Sequence, residues 1–246
     1  MMSSRFLPAV FFTGVLFVLS CNGNKDNAST NNSSRDSMSS ATTTESTSPS
    51  TIVTSPQSMF VVVHKVSNYT KWKASYDGHD SMRVAHGMHN YVIGRGIEDS
   101  NTVLVAVKTD DMNKAKAFAK DPSLKAAMQK GGVIGTPKFA FTTMTFQDTA
   151  VINSPLRARV TFTVKDWDAW LKGFEDGKQE RLDNGIIVRA VGHDADDNKQ
   201  VTVVTAVSDS AKAAAYVKSD MMKKRREASG VIGEPERFIY RVVQRY

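Results

Sequence analysis

The segment Gly132-Val133-Ile134-Gly135-Thr136-Pro137 returns 98 positions later as Gly230-Val231-Ile232-Gly233-Glu234-Pro235. Four identical residues in a row, followed by a proline in the same phase, are hard to obtain by chance. The same offset aligns landmarks on both sides without a gap, among them Trp72 with Trp170, Arg83 with Arg181, Gly87 with Gly185 and Gly94 with Gly192. The sequence therefore contains two copies of one module, too few for a solenoid.

Each copy has the pattern of a β-α-β-β-α-β unit. In the first copy, β-branched and alternating segments predict strands, and apolar residues at helical spacing predict helices. The predicted elements are a strand at 60–66, a helix at 68–86 ended by Gly87, a hairpin of 91–97 and 102–108, a helix capped by Asp111 and restarted at Pro122, and a strand at 138–146. This is the order of a ferredoxin-like unit, and the second copy repeats it from 158 to 245.

A ferredoxin-like unit covers one face of its sheet with helices and leaves the other face bare. Two such units on one chain can pack these faces against each other. We therefore predict an α+β fold in which two tandem units, 59–147 and 157–246, pack sheet to sheet as an intramolecular pseudo-dimeric α/β barrel. Residues 148–156 form the linker, and the chain is expected to be monomeric.

The N-terminus has the layout of a signal peptide over residues 1–20, with Arg5 before an apolar run that is too short for a comfortable membrane span. Val18-Leu19-Ser20-Cys21 resembles the lipobox of bacterial lipoproteins, which implies acylation of Cys21 and anchoring to a lipid bilayer of the cell envelope. The alternatives are a secreted protein with a chance cysteine and a permanent transmembrane span. Residues 21–58 are rich in Ser, Thr and Asn and predict a disordered tether.

The composition and the glycine pattern of the chain exclude several structural and functional classes. The chain has 246 residues, a net charge of +7 and a single cysteine, so it cannot form an intramolecular disulfide. This charge is spread over the length of the chain, without the clustered Lys/Arg face that nucleic-acid binding would require, and no nucleic-acid partner is expected. The glycine-rich segment 131–135 joins a helix to a strand, the reverse of the order in phosphate and dinucleotide loops.

Four of the five histidines, His64, His79, His86 and His89, lie in the first copy. On the predicted strand, His64 shares a face with Val62 and Val66, so burial would favour its neutral form. Tyr76, His79, Arg83 and His86 form a stripe on the predicted helix. The asymmetry predicts a single ligand pocket, mainly in the first copy, contacted by Trp72, His86 and Tyr91. Each residue also has a plain structural interpretation, as a core histidine, a core tryptophan or a partner in an ion pair.

One set of residues in the first copy resembles short bacterial proteins of the dimeric α/β-barrel superfamily, of the antibiotic-biosynthesis-monooxygenase-like or cyclase-like kind. The residues are Val63-His64-Lys65-Val66, Tyr69, Trp72-Lys73, Asp77, His79, Arg83, Gly87, Asp99, Asn101, Val103, Val105, Ala115, Phe118, Pro122, Leu124, Met128 and Gly132-Val133. The resemblance implies the fold above, but that superfamily has many functions.

Three functions are compatible with this resemblance. The favoured one is a membrane-tethered lipoprotein that binds a small apolar or aromatic molecule. The first alternative is a cofactor-free monooxygenase-like or cyclase-like enzyme, with His64 as base, His79 and Tyr76 as hydrogen-bond partners and Arg83 stabilising an oxyanion. The second is a protein-interaction module without a pocket. No cofactor or metal is expected, although the superfamily implies haem ligation by His79 or His86 as a minor possibility.

Overall fold

The computed structural model describes residues 50–246. The predicted signal peptide, Cys21 and most of the predicted tether lie outside the described residues. Where the tether was expected to continue to residue 58, Ile52–Val53 already forms a short strand and the next strand begins at Gln57. Ile52 and Val53 are adjacent β-branched residues, and they pair with Asp148 and Gln147 at the end of a long strand. The folded part therefore begins earlier than the sequence suggests.

The first unit contains β1 (Ile52–Val53), β2 (Gln57–Val66), α1 (Tyr69–Gly78), α2 (Asp80–Ala85), β3 (Met88–Gly96), β4 (Thr102–Thr109), α3 (Met112–Phe118), α4 (Pro122–Lys130) and β5 (Val133–Asp148). The second unit contains β6 (Leu156–Val164), α5 (Trp167–Asp176), α6 (Lys178–Asp183), β7 (Ile186–Asp194), β8 (Gln200–Val207), α7 (Ser210–Lys218), α8 (Asp220–Ala228) and β9 (Val231–Arg245). Apart from the additional β1, the two units have the same order of elements.

The local signals in the sequence act as predicted. The Asp111 side chain accepts hydrogen bonds from the backbone N–H groups of Asn113 and Lys114 at the start of α3. Pro122 is the first residue of α4, where its missing N–H costs nothing. The predicted helix 68–86 is instead two helices that meet at His79, and the second unit breaks in the same way at Gly177.

The strands form one closed antiparallel barrel. They are hydrogen-bonded in the order β5-β2-β4-β3-β9-β6-β8-β7, and β7 pairs back with β5. The two units therefore join through strand edges, at a β3–β9 seam and a β5–β7 seam. This confirms the predicted intramolecular barrel and leaves neither of these edges open.

Hydrophobic residues divide between the inside and the outside of the barrel. One core fills the interior with side chains from both units, including Met59, Val61, Leu104 and Tyr240. Other cores lie outside, between each unit's strands and its own helices. Because side chains alternate along a strand, β2 points Val61 into the barrel and Phe60 and Val62 toward the helices.

Two ion pairs connect the units on the surface. Lys116 Nζ lies 2.6 Å from Asp196 Oδ1, and Lys138 Nζ lies 2.9 Å from Glu236 Oε1. Lys138 and Glu236 are equivalent positions of the repeat, so this pair sits where the two copies face each other. Within residues 50–246, no helix is long and apolar enough to cross a membrane.

Candidate functional site

The first unit has a cavity of about 80 Å³ between the outer face of its strands and its helices. Five of the predicted site residues line it together: His64, Trp72, Tyr76, His79 and Arg83. His64 comes from β2, and the others come from α1, α2 and the junction between them. The expectation that His64 and His79 approach one space between helix and sheet therefore agrees with the geometry.

His64 is held in an apolar setting. Its side chain is only 5% exposed, its ring lies 5.4 Å from the Trp72 ring, and neither ring nitrogen has a hydrogen-bond partner. Burial lowers the pKa of His64 to about 4. The imidazole is therefore neutral at physiological pH.

The polar groups around His64 are mostly bound to each other. Arg83 donates to the Tyr76 carbonyl oxygen at 2.8 Å and to Asn90 Oδ1 at 3.1 Å, and its guanidinium lies 3.7 Å from the centre of the Tyr76 ring. The Tyr76 hydroxyl donates to the same Asn90 oxygen at 2.5 Å. His79 Nδ1 lies 2.6 Å from the Ser75 carbonyl oxygen. These bonds stabilise the junction of α1 and α2.

Two residues predicted to contact the ligand are elsewhere. The His86 ring packs 4.7 Å from the Phe118 ring, its Nδ1 is 2.8 Å from the Met82 carbonyl oxygen, and it does not line the first-unit cavity. Tyr91 faces the interior of the barrel. The break at His79 ends the helical stripe that placed His86, and a register shift between Asn90 and Val92 accompanies the inward position of Tyr91.

The larger cavity lies in the second unit, at the equivalent place between strands and helices. Its volume is about 650 Å³. Apolar side chains of β6 and α5 form much of its wall, including Leu156, Val160, Phe162, Trp170 and Phe174. The prediction that the pocket lies mainly in the first unit is therefore wrong in terms of volume.

Three positions explain the difference between the cavities. In the first unit, the Phe60 ring stacks on the rings of Phe139 and Phe141, at 5.7 and 5.1 Å. The repeat places Ala158, Arg237 and Ile239 at these three positions in the second unit, and all three line its cavity. An alanine and an isoleucine in place of two stacked rings leave the space open.

Basic side chains surround the second-unit cavity. Lys218, Arg181, Arg225, Arg226 and Arg237 line it, and Glu234 is the only carboxylate among its lining residues. Arg225 pairs with Glu180 behind the wall, and Arg226 Nη1 lies 3.6 Å from Glu234 Oε2. Burial and the nearby charge of Arg226 lower the pKa of Arg237. The wall of the cavity is therefore mainly apolar, and the charged residues in it are mainly basic.

Comparison with solved structures identifies the architecture. A candidate monooxygenase from Fusobacterium nucleatum matches with a TM-score of 0.52 and 12% identity, over 77% of this chain and 93% of that one. The chain has the dimeric α/β-barrel fold. An anthrone oxidase-like protein matches at a TM-score of 0.48, with 15% identity over 78% of this chain and 94% of that one. A haem-binding protein from Thermus thermophilus matches at 0.47, with 10% identity over 78% and 93%.

Sequence comparisons add no assignment. No protein-family model matches the chain, and no curated protein matches its sequence. The match at a TM-score of 0.52 and 12% identity establishes the fold of this α/β-barrel protein. Its chemistry has to be inferred from its own residues.

The histidines that line the first-unit cavity do not have room for a haem group beside them. A haem needs both an axial ligand and room for the macrocycle. Histidines line the cavity of about 80 Å³ in the first unit, whereas the cavity of about 650 Å³ in the second unit has neither histidine nor cysteine in its lining. In residues 50–246 there is also no group of three His, Cys, Asp or Glu side chains placed to hold a metal ion.

Proposed function

We propose that this α/β-barrel protein binds a small apolar molecule carrying an anionic group, in the cavity of its second unit. The observation that carries the proposal is the combination of volume and lining in that cavity. Pockets for drug-sized ligands are typically about 300–1,000 Å³ and mainly apolar, with a few polar groups that orient the ligand. A cavity of about 650 Å³ lies in this range.

The basic side chains that line the cavity are the reason for proposing an anionic group on the ligand. Five basic side chains and one carboxylate line the cavity, and that carboxylate, Glu234, is 89% exposed. Guanidinium groups bind carboxylates and sulfonates through paired, charge-assisted hydrogen bonds. An apolar body in the Trp170 and Phe174 part of the wall, with its acidic group near Arg237, would match both features.

Binding without turnover is favoured over catalysis. The second-unit cavity has no histidine, cysteine or aspartate in its lining. The neutral imidazole of His64 faces a cavity of about 80 Å³, in which an aromatic substrate would not fit beside it. The candidate base and the room for a ligand are therefore in different units.

A pair of fluorescent probes tests the proposal. Anilinonaphthalene sulfonate has an aromatic body and an anionic group, and N-phenylnaphthylamine is its neutral counterpart. We expect saturable binding of both to the full chain. Replacing Ala158→Phe together with Ile239→Phe, the residues of the first unit, should weaken both probes about tenfold or more by filling the cavity. Arg237→Gln should weaken only the sulfonate, also by about tenfold.

The controls separate this site from the rest of the surface. Arg241→Gln removes a charge from the same strand outside the cavity and should leave both affinities unchanged. Thermal unfolding of the double variant establishes that it is folded. If that folded variant binds both probes as tightly as the original chain, the second-unit cavity is not the binding site and the proposal fails.

We also propose that the mature chain is attached to a membrane of the cell envelope through acylated Cys21. The support is the sequence of the N-terminus, where an apolar run ends in Val18-Leu19-Ser20-Cys21. Two or more acyl chains give stable anchoring, at about 0.8 kcal/mol per buried methylene. In bacteria expressing the full chain, the protein should partition into the detergent phase, and Cys21→Ser should move it to the aqueous phase. Equal partitioning of both forms would contradict lipidation.

A further inference from the structure

A third cavity, inside the barrel, lies at the end where β5 and β9 finish. Its volume is about 70 Å³. Four arginines line it, Arg157, Arg159, Arg189 and Arg245, and Asp148 is the only carboxylate in the lining. This site is separate from the second-unit cavity, because it lies on the opposite face of the strands.

All four arginines come from the second unit. At the equivalent positions the first unit has Met59, Val61, Tyr91 and Gln147, and these four residues also line the cavity. At these four repeat positions, the second unit therefore places guanidinium groups in the wall, and the first unit places apolar or uncharged side chains. The repeat shows that the fold does not require arginine at these positions.

Other groups of the protein bind only some of the N–H groups of these four arginines. Arg189 donates to Asp148 Oδ2 at 2.6 Å and also to the Ala150 carbonyl oxygen. Arg157 Nη1 donates to the Ser154 and Leu156 carbonyl oxygens, at 2.5 and 2.9 Å. Arg159 has one long contact, 3.5 Å to Thr202 Oγ1, and its buried Nε has no partner. Arg245 has no ion pair among the described residues.

Like charges in this arrangement repel each other. Burial and the charge of Arg245 lower the pKa of Arg157 to about 10, so it remains charged at neutral pH. Glu236, the carboxylate whose charge reaches Arg159, is exposed and paired with Lys138. Buried charges without partners are costly, and an anion among them would remove that cost.

Gln147 adds an independent observation. It is 2% exposed, lines the same cavity, and its Oε1 makes no hydrogen bond. Because the amide oxygen and nitrogen are interchangeable by rotation, this side chain can present a donor to the cavity. A buried polar group with no protein partner is normally explained by a ligand, an ion or water.

We propose that this end of the barrel is a binding site for a small oxyanion, held by Arg157, Arg159 and Arg245. The geometry limits its size, because about 70 Å³ is only about five times the space that one water molecule needs. Inorganic phosphate, sulfate or a short carboxylate fits this volume, and a nucleotide does not. Arg245 is exposed while lining the cavity, which gives the ion access from the surface.

The test is thermal unfolding of the full chain in increasing inorganic phosphate, with chloride added to keep the ionic strength constant. A bound anion raises the melting temperature in a saturable way, and equal ionic strength of chloride alone does not. Sulfate and acetate in the same experiment distinguish a tetrahedral oxyanion from a carboxylate. Isothermal calorimetry with phosphate gives the affinity.

The variants replace Arg159 and Arg245, the arginines of this cavity that make the fewest contacts with other polar groups of the protein. Arg159→Met with Arg245→Gln should weaken phosphate binding about a hundredfold, about tenfold for each charge-assisted contact. Arg245→Gln alone, at an exposed position, should still weaken it about tenfold and guards against misfolding of the double variant. Arg241→Gln, on the same strand but outside the cavity, should bind phosphate normally.

The outcomes also separate this site from the one in the second unit. Phosphate binding should survive Ala158→Phe with Ile239→Phe, and sulfonate probe binding should survive Arg159→Met with Arg245→Gln. Equal melting temperatures in phosphate and chloride would overturn the oxyanion site, as would a phosphate affinity unchanged by the loss of both arginines.

Discussion

His64 and its equivalent Phe162 show how one residue can change the character of a unit. Phe162 lies 5.4 Å from Trp170 in an edge contact, and His64 lies at the same distance from Trp72. The surroundings are thus built for an aromatic ring, and the first unit places an imidazole there without a partner for either nitrogen. A buried polar group without a hydrogen-bond partner lowers the stability of the fold.

The lowered pKa of His64 makes stability depend on pH. The folded chain binds its proton only near pH 4, whereas the unfolded chain binds it near 6.5. Between these values the unfolded state binds more protons, so the free energy of unfolding falls as the pH falls, by up to about 3 kcal/mol. His64→Phe should remove this slope in denaturant titrations from pH 7 to pH 4. The exposed His89→Gln serves as control, and an unchanged slope in His64→Phe would refute this assignment.

The sequence predicts single residues well where burial decides their position. The alternation of side chains along the predicted strand at 60–66, which is part of β2, places His64 toward the helices, and the structure agrees. The sequence predicts the positions of side chains poorly where a helix breaks or a strand shifts its register. His86 and Tyr91 depend on a helix that breaks at His79 and on a strand that shifts register before Val92, and neither irregularity has a clear composition signal.

At the scale of elements, the seams between the units depend on glycine. Gly94 on β3 and Gly192 on β7 are equivalent in the repeat, and each pairs across a seam. A Cβ on Gly94 would lie 2.2 Å from the Tyr240 ring, and one on Gly192 would lie 2.2 Å from the Thr143 carbonyl oxygen. At these two positions a side chain would collide with the partner strand, so the local packing requires glycine there.

Alanine at these positions tests the seams. Gly192→Ala collides with backbone, which cannot move aside, and should cost about 3 kcal/mol or more of unfolding free energy. Gly94→Ala meets an aromatic ring in the interior and should cost about 1–3 kcal/mol. Gly78→Ala, with nothing within 4 Å of the added carbon, should be neutral or slightly stabilising. Urea unfolding of the three variants compares these costs, and equal stability of all three would contradict a close seam.

At the scale of the whole molecule, the repeat predicts the barrel, because two similar sheets that each have one bare face can cover those faces by packing against each other. The cavities are not predictable from the same reasoning. Histidine content points to the first unit, while volume depends on side chains that meet across strands, such as Phe60 with Phe141 and Ala158 with Ile239. The informative signal is that Ala158 stands in the second unit where the first unit has Phe60. Its effect on the cavity volume can be predicted only once the neighbouring strands are known.

The surface pair of Lys138 and Glu236 has an evolutionary consequence. In a symmetric dimer of single modules, the same residue would occur at both of these places, so either two lysines or two glutamates would confront each other. Opposite charges there require that the two halves be encoded separately, and the pair itself contributes little energy because both side chains are exposed. Carrying both copies on one chain therefore leaves each copy free to diverge at this position, whereas a homodimer of either half would place like charges there.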